Sequence, residues 1–398
     1  MKPLQVRVYE NLADIESLRP HWDQLLSEFR GATTFSSWEW LAPWWRAFGE
    51  GRQLLVLAFL DESSRLVGLA PLCVEKRKVA PLVHLKVVGF WGDGSGDSDN
   101  LDFPVRAGYE DEVAGTLLDY LEKESRRWDY CELNTLPEDS AVGNCLSRQL
   151  RHRSWVSYRH QQGGSAVELP ETWEAYLLQL SAKERGKVGY RRKVLEKKYQ
   201  TRFYKCDNQA ELGVCLETMF GLHQKRWSSA GEPGSFTSAP RCRFYSEMAA
   251  LLLARGRLEF WFLDLDGKPV AAQFGFCFDR IFFSLQEGYD PLYSRDSVGY
   301  VLRAHVIREL IAAGVRRYDF LAGESASKAR WDAGVTQYVS LHFARPASKG
   351  SLYLQTVNAA AGGKQWLRRH LPGNAWQVLH WLNCAIRGIK KQAPRKEL

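Results

Sequence analysis

The stretch 287–302, EGYDPLYSRDSVGYVL, sets a carboxylate, a cation and a glycine where an apolar, aromatic strand gives way to an amphipathic helix. Glu287 ends the strand, and Gly-Tyr-Asp-Pro breaks it. Arg295 then precedes Ser297, Val298, Gly299, Tyr300 and Val301, where the helix begins. A helix start leaves backbone N–H groups without partners, and beside a cation they hold an anion such as phosphate. The plainer alternative is a helix N-cap, with Ser297 capping and Gly299 tolerated. Glu287 and Glu324 are carboxylates that could act as a general base. Lys328, with Trp331 near, follows a strand and carries the charge to stabilise an oxyanion or hold an acidic group; the alternative is an exposed lysine. His223, Arg226 and Trp227 lie within one helical turn and can share a face that binds an acceptor. His305 reads as structural, in a helix that packs on a sheet.

The elements that must position these residues come in two copies. LLVLAFLDESSRLVGLAPLCVEKRK (54–78) and RLEFWFLDLDGKPVAAQFGFCFDR (257–280) each read as a strand, a polar turn opened by Phe-Leu-Asp, and a second strand. TLLDYLEKESRRWDY (116–130) and HVIRELIAAGVRRYDF (305–320) each read as a helix ending in a basic pair, an aromatic and Asp, and each leads into a strand. This repeat predicts two α/β modules, about 1–165 and 166–345, with a basic, Trp-rich helical tail over 346–398. It also equates Asp319 with Asp129, which suggests a structural role for both. Between hairpin and helix the first copy is rich in Gly and Asp (87–112). An acidic loop repels phosphate, so an anionic ligand at this position belongs to the second copy, while the first shapes a cleft or holds an acceptor.

The 398 residues exceed what one core usually holds. The net charge of +8 is local: SAKERGKVGYRRKVLEKKYQTRFYK (181–205) holds ten Lys and Arg against two Glu. This segment is a solvated helix, a site for an anionic sugar nucleotide, polysaccharide or lipid head group, or a nucleic-acid contact. The eight cysteines form no CxxC pair and no secretory signal opens the chain. We therefore expect reduced cysteines in a cytoplasmic protein. The sequence contains no metal-ligand cluster, no G-x-S-x-G and no Walker pattern, which argues against a metalloenzyme or a serine hydrolase. FSSWEWLAPWWRAF (35–48) reads as a packing corner between helices, or else as a groove lined by Trp. The mixture of Trp, Leu, Ile, Arg and Lys in 364–391 is that of a helix lying on an anionic membrane face, or of a helix docked on the second module.

The order hairpin, loop with free amides, helix starting at glycine, strand resembles the GNAT acetyltransferase plan. LHQKRW (222–227), GYDPLYSRDSVGYVL and YDFLAGESASKARW (318–331) are similar to the CelD/BcsL-type acetyltransferases of bacterial polysaccharide biosynthesis, as is FSSWEWLAPWWRAFG (35–49). The tandem arrangement is similar to the FemAB-like aminoacyltransferases. The resemblance implies two tandem GNAT-like modules, each a mixed, mainly antiparallel sheet flanked by helices, the first degenerate and the second catalytic. It implies transfer of an acyl group, acetyl first of all, from acyl-CoA to an amine or hydroxyl of a sugar, glycan or cell-envelope precursor, without a metal. In that reading Arg295 and the amides around Val298–Val301 hold the pyrophosphate, although Arg295 and Gly299 stand four apart where the family pattern has three. Glu287 or Glu324 takes the proton, Lys328 stabilises charge, and Tyr289 or Tyr293 protonates the leaving thiolate. The acceptor then lies between the modules, over the basic segment. Two alternatives stay open: a transferase that uses aminoacyl-tRNA, and a non-catalytic protein that binds a glycan or lipid carrier in a biosynthetic complex.

Overall fold

The computed structural model describes residues 4–370. The first half runs β1 (Gln5–Tyr9), α1 (Leu12–Glu28), α2 (Trp38–Phe48), β2 (Arg52–Leu60), β3 (Leu66–Ala80), β4 (Val83–Phe90), α3 (Glu110–Lys123), β5 (Tyr130–Pro137), α4 (Ala141–His152) and β6 (Val156–Glu168). The second half opens with α5 (Trp173–Gln179), α6 (Ala182–Lys198), β7 (Thr201–Lys205), α7 (Leu212–Ser229) and α8 (Ala239–Ala254). It continues with β8 (Leu258–Leu265), β9 (Lys268–Phe278), β10 (Ile281–Tyr289), α9 (Val298–Ala312) and β11 (Arg317–Ala322). α10 (Ala326–Ala329), β12 (Gly334–Ala344) and α11 (Lys349–His370) follow. The expected interfacial character of the tail falls mostly on residues beyond 370, outside the described residues. Among the described residues no helix is long and apolar enough to cross a membrane.

The apolar runs Leu54–Leu60 and Leu66–Val74 are buried along their whole length because helices cover both faces of the sheet. α1 turns Ile15, Leu18, Trp22, Leu25 and Leu26 inward at helical spacing. Trp38, Trp40 and Trp44 of α2 are buried, so this segment is the packing corner and not a groove. Their indoles need partners when buried. Trp40 Nε1 donates to Ser98 Oγ (2.9 Å) and Trp44 Nε1 to Ser95 Oγ (3.1 Å), which fixes the acidic loop of the first half.

The repeat is real, and the structure adds an exchange that local pattern does not show. One twelve-stranded sheet has the order β1-β2-β3-β4-β5-β12-β6-β11-β10-β9-β8-β7. Read inward from each edge, the halves match strand for strand until the last. There β6, which follows the first half, pairs beside β11, and β12, which follows the second, pairs beside β5. β6 and β12 then pair with each other over Val156–Ala166 and Gly334–Ala344. The division expected at 165/166 falls inside β6. Both repeat helices end earlier than expected: α9 stops at Ala312, and Gly314, with φ of 76°, turns the chain.

The acidic loop bolts the halves together. Asp97 accepts from Tyr245 Oη (2.9 Å) and Arg241 Nε (3.1 Å), and Asp99 accepts from the Ala322 N–H (3.0 Å). A fragment ending at 165 exposes the β5 edge that β12 covers, and 166–345 loses most of β6. Expressed alone, each half is expected to be aggregated or without cooperative unfolding. Coexpressed, they are expected to copurify and unfold cooperatively. Circular dichroism and size exclusion check this, and a monomeric, cooperatively folded 1–165 fragment refutes the exchange as a folding requirement.

Candidate active site

The site starts from a backbone break. β10 and β11 run parallel, but they pair only through Ile281–Arg317, Phe282–Tyr318 and Phe283–Asp319. Beyond that β10 bulges between Ser284 and Gln286, Leu321 adopts a φ of 62°, and the strands part. Parted strands leave carbonyls and N–H groups that need partners. Lys328 Nζ lies within hydrogen-bond distance of four consecutive carbonyls, those of Phe320 (3.0 Å), Leu321 (3.2 Å), Ala322 (3.0 Å) and Gly323 (2.7 Å), which share its three N–H donors. Burial lowers its pKa below the usual lysine value, with Asp319 and Asp99 opposing. Across the wedge Arg303 grips Glu287, Nε to Oε1 at 3.0 Å and Nη2 to Oε1 at 2.6 Å, with a further contact to Oε2. The guanidinium lies over the rings of Phe320 and Trp331. Burial works against its charge and Glu287 more than offsets it, so Arg303 is held more firmly protonated than usual.

An anion cradle adjoins the wedge. Ser297 takes a left-handed conformation and makes no side-chain cap. Its carbonyl accepts from the N–H groups of Tyr300 and Val301, both at 3.0 Å. Those two amides are thus engaged inside the helix, and among the described residues only the N–H groups of Val298 and Gly299 at this helix start lack an acceptor. Gly299 leaves room in front of them: a Cβ there would meet only Tyr289 Cδ1, at 3.7 Å. The cavity, about 380 Å³, is walled by these residues, by Lys187 and Arg191 of α6, and at its inner end by Gln273, Glu287, Arg303 and Trp331.

Several candidates meet here. Ser297, Val298, Gly299, Tyr300, Glu287, Tyr289, Arg226 and Trp331 all line the cavity. Arg226 Nη1 donates to the Glu287 carbonyl (3.2 Å) and lies over the Tyr289 ring. Trp331 packs against Tyr300 with ring centroids 4.5 Å apart. The rest do not meet here. Arg295 is exposed and outside the wall, in which Lys187 and Arg191 stand. Val301 contributes a buried side chain to the core and no free amide. Glu324 lies exposed over β6, where a Cβ on Gly163 would collide with its carboxylate. Lys328 has its donors on backbone carbonyls, which leaves none for an oxyanion: it positions the end of β11. Trp227 is 38% exposed and off the wall. His223 is 2% exposed and packs on Phe236. Burial, with Arg226 and Arg241, pushes its pKa down to about 4, so it is neutral at pH 7. His305 stacks on Phe203 with centroids 4.2 Å apart, as its structural reading requires.

The equation of Asp319 with Asp129 fails on register. The Asp129 N–H donates to Lys86 O just before the first parallel pair, a place held in the second half by Arg316, which donates to Arg280 O. Asp319 stands at the third pair, opposite Phe283, where the first half has Glu132. Arg303, Arg330 and Gln273 are wall residues that sequence reasoning missed. Arg303 was within reach of it: it stands four residues after Gly299, one turn along the same helix face.

Residues 182–331 match the family described as acetyltransferase (GNAT) domain. No curated protein sequence matches the chain. Among solved structures the chain is similar to FemX (TM-score 0.57, 11% identity, 81% of this chain and 95% of that one). It is similar to a conserved protein of unknown function from Bacteroides thetaiotaomicron VPI-5482 (TM-score 0.53, 13% identity, 86% and 100%). It is also similar to the C-terminal domain of a putative lysylphosphatidylglycerol synthetase from Agrobacterium fabrum (TM-score 0.51, 10% identity, 86% and 96%). At such identities the structures speak for fold alone. Residues 182–331 thus resemble a GNAT acetyltransferase domain, and the fold is α/β with two GNAT-like modules in tandem.

Replacing Lys328 by Met removes the ammonium from the carbonyls of Phe320, Leu321 and Ala322 at the wedge, while Gly323 O keeps Ser165 Oγ (3.3 Å). A loss of about 1–3 kcal/mol of stability is expected, the cost of unsatisfied buried polar groups. Lys328→Arg is not expected to restore it, because a planar guanidinium cannot converge on four carbonyls as an ammonium does. Denaturant unfolding checks this, and an unchanged midpoint in Lys328→Met refutes the clamp.

Proposed function

We propose that the chain is an acyltransferase that moves an acyl group, acetyl first of all, from acyl-CoA to an amine or hydroxyl of a sugar, glycan or cell-envelope precursor. The observation that carries this is the cradle. Two unpaired N–H groups at the start of a fifteen-residue helix face the same cavity as Lys187 and Arg191, inside the segment that matches an acetyltransferase domain. These donors fit a pyrophosphate, since helix-start amides and nearby cations favour negative charge. Val298, Gly299, Lys187 and Arg191 would hold it, without Arg295. The parted end of β10, at 284–287, would align the thioester and offer N–H groups to its oxygen. Acyl-CoA supplies the activated acyl group. Of the carboxylates walling the cavity, Glu287 lies at the wedge and Glu184 at the α6 side. Arg303 holds the Glu287 carboxylate in place, and Glu287 would accept the amine proton directly or through water. The resemblance of 222–227, 288–302 and 318–331 to the CelD/BcsL type favours an acceptor from polysaccharide biosynthesis.

Calorimetric titration with acetyl-CoA and free CoA tests the donor site. Micromolar binding is expected. Lys187→Glu with Arg191→Glu is expected to weaken it at least about tenfold, as loss of two charge-assisted contacts should, while Arg295→Glu leaves it nearly unchanged. No binding of any CoA species refutes the reading. The exposed Lys183, Lys193 and Lys197 on α6 keep one second reading in view, transfer from aminoacyl-tRNA; activity abolished by ribonuclease and indifferent to acyl-CoA would favour it.

Glu287→Gln is expected to lower kcat by about 10²–10⁴-fold, the usual contribution of a general base, with acetyl-CoA affinity retained. A kcat near wild type removes Glu287 from the chemistry.

A further inference from the structure

The β3–β4 hairpin of the first half reaches further than its copy in the second. β3 parts from β2 after Glu75, which pairs with Arg52, and β4 joins β5 only at Val87, which pairs with Tyr130. Residues 76–86 therefore form a two-stranded ribbon with no further strand on either side. In the second half β10 pairs with β11 from its first residue, Ile281, so β10 has no such overhang. A ribbon of two strands is marginal in water unless something packs on it. Here α11 covers one face: Leu354 clusters with Leu85 and Val87, and Val79 and Tyr353 pack beside them.

The other face and the tip are bare. Lys76 stands opposite Lys86 across the ribbon, and Lys78 stands opposite His84. All four are exposed. Lys86 Nζ donates to Arg126 O (2.9 Å), while the side chains of Lys76, Lys78 and His84 make no hydrogen bond or ion pair among the described residues. Like charges directly opposite one another destabilise a strand pair, so the packing of the sheet gives no reason for this face. The turn adds Pro81, Leu82 and Val83, all exposed, with Leu82 at 94% and Val83 at 46%. One exposed leucine is ordinary. An apolar pair at the end of a projecting ribbon, with unpaired cations behind it, is a combination that one kind of surface satisfies.

We propose that the β3–β4 hairpin docks the protein on an anionic membrane. Leu82 and Val83 enter the boundary between head groups and acyl chains, and Lys76 and Lys78 remain at the lipid phosphates. Charge alone would also suit a nucleic acid, but a nucleic acid offers no place to an aliphatic tip. The chain continues the same way: α11, packed on the inner face of this ribbon, leads into 371–398, whose sequence mixes Trp376 and Trp381 with Leu, Ile, Arg and Lys. The hairpin belongs to the first half and lies outside the wall of the donor cavity, so the proposal stands apart from the acyltransferase reading.

The test sediments the full chain with vesicles of phosphatidylcholine and with vesicles of phosphatidylcholine mixed with phosphatidylglycerol. Binding to the mixed vesicles is expected, weakened by raised salt, with the neutral vesicles at least about tenfold weaker. Lys76→Glu with Lys78→Glu is expected to lower the partition coefficient about twentyfold or more, since each cation near such a surface contributes about fivefold. Leu82→Ser with Val83→Ser is expected to lower it at least about tenfold, the scale of one aliphatic side chain withdrawn from an apolar phase. These side chains are exposed, so both variants are expected to keep the wild-type unfolding midpoint and the wild-type affinity for CoA. No vesicle binding, equal binding to neutral vesicles, or binding retained in both variants overturns the proposal, whatever 371–398 contributes. Binding of a single-stranded RNA probe that is lost in the lysine variant, without vesicle binding, overturns it in favour of a nucleic acid.

Discussion

Everything near the cavity depends on one backbone constraint: β10 and β11 pair for three residues and then part. A sheet that opens must satisfy the groups it frees, and here charged side chains do so. Lys328 collects four carbonyls at the end of β11, Asp99 takes the Ala322 N–H, and Arg226 meets the Glu287 carbonyl. These come from α10, from the acidic loop of the other half and from α7. The wedge is thus held open by three separate parts of the chain, and the Arg303–Glu287 pair lines its inside.

The first half contains the same break and uses it differently. β4 and β5 also pair over only three residues. Its counterpart cavity, about 200 Å³, is crossed by ion pairs: Arg77 to Glu132 at 2.7 Å and Arg52 to Glu75 at 3.1 Å. α3 begins with Glu110, Asp111 and Glu112, which disfavour an anion at that helix start. One plan therefore yields a cationic cradle in the second half and a charge-filled plug in the first. What the first half contributes instead is its loop, which bridges to α8 and to the end of β11, and β6, which completes the second half's sheet.

Net charge hides this arrangement. The segment 181–205 alone carries a net +8, most of it on α6, and of the cations of that helix only Lys187 and Arg191 enter the cavity wall, beside Glu184. Carboxylates gather on the other side of the sheet, in the cleft between the halves. The sheet separates the two groups of charges.

The sequence by itself determined the elements and their repetition. Apolar runs joined by a polar Phe-Leu-Asp turn marked the hairpins, helical spacing marked α3 and α9, and the Ser297–Gly299 turn marked a helix start with free amides. The Trp-rich segment was legible as packing. These signals are local, because the period of a pattern reports which face of one element is buried. Only the tertiary structure decided the exchange of β6 and β12, the presence of Lys187 and Arg191 in the cavity wall with Arg295 outside it, the turning of Lys328 toward backbone carbonyls, and the placing of Asp319 at the crotch of the wedge. Each of these is a pairing between residues distant in sequence or a register between strands. A charge has no periodicity that names its partner, so which groups meet is fixed only when the halves pack together.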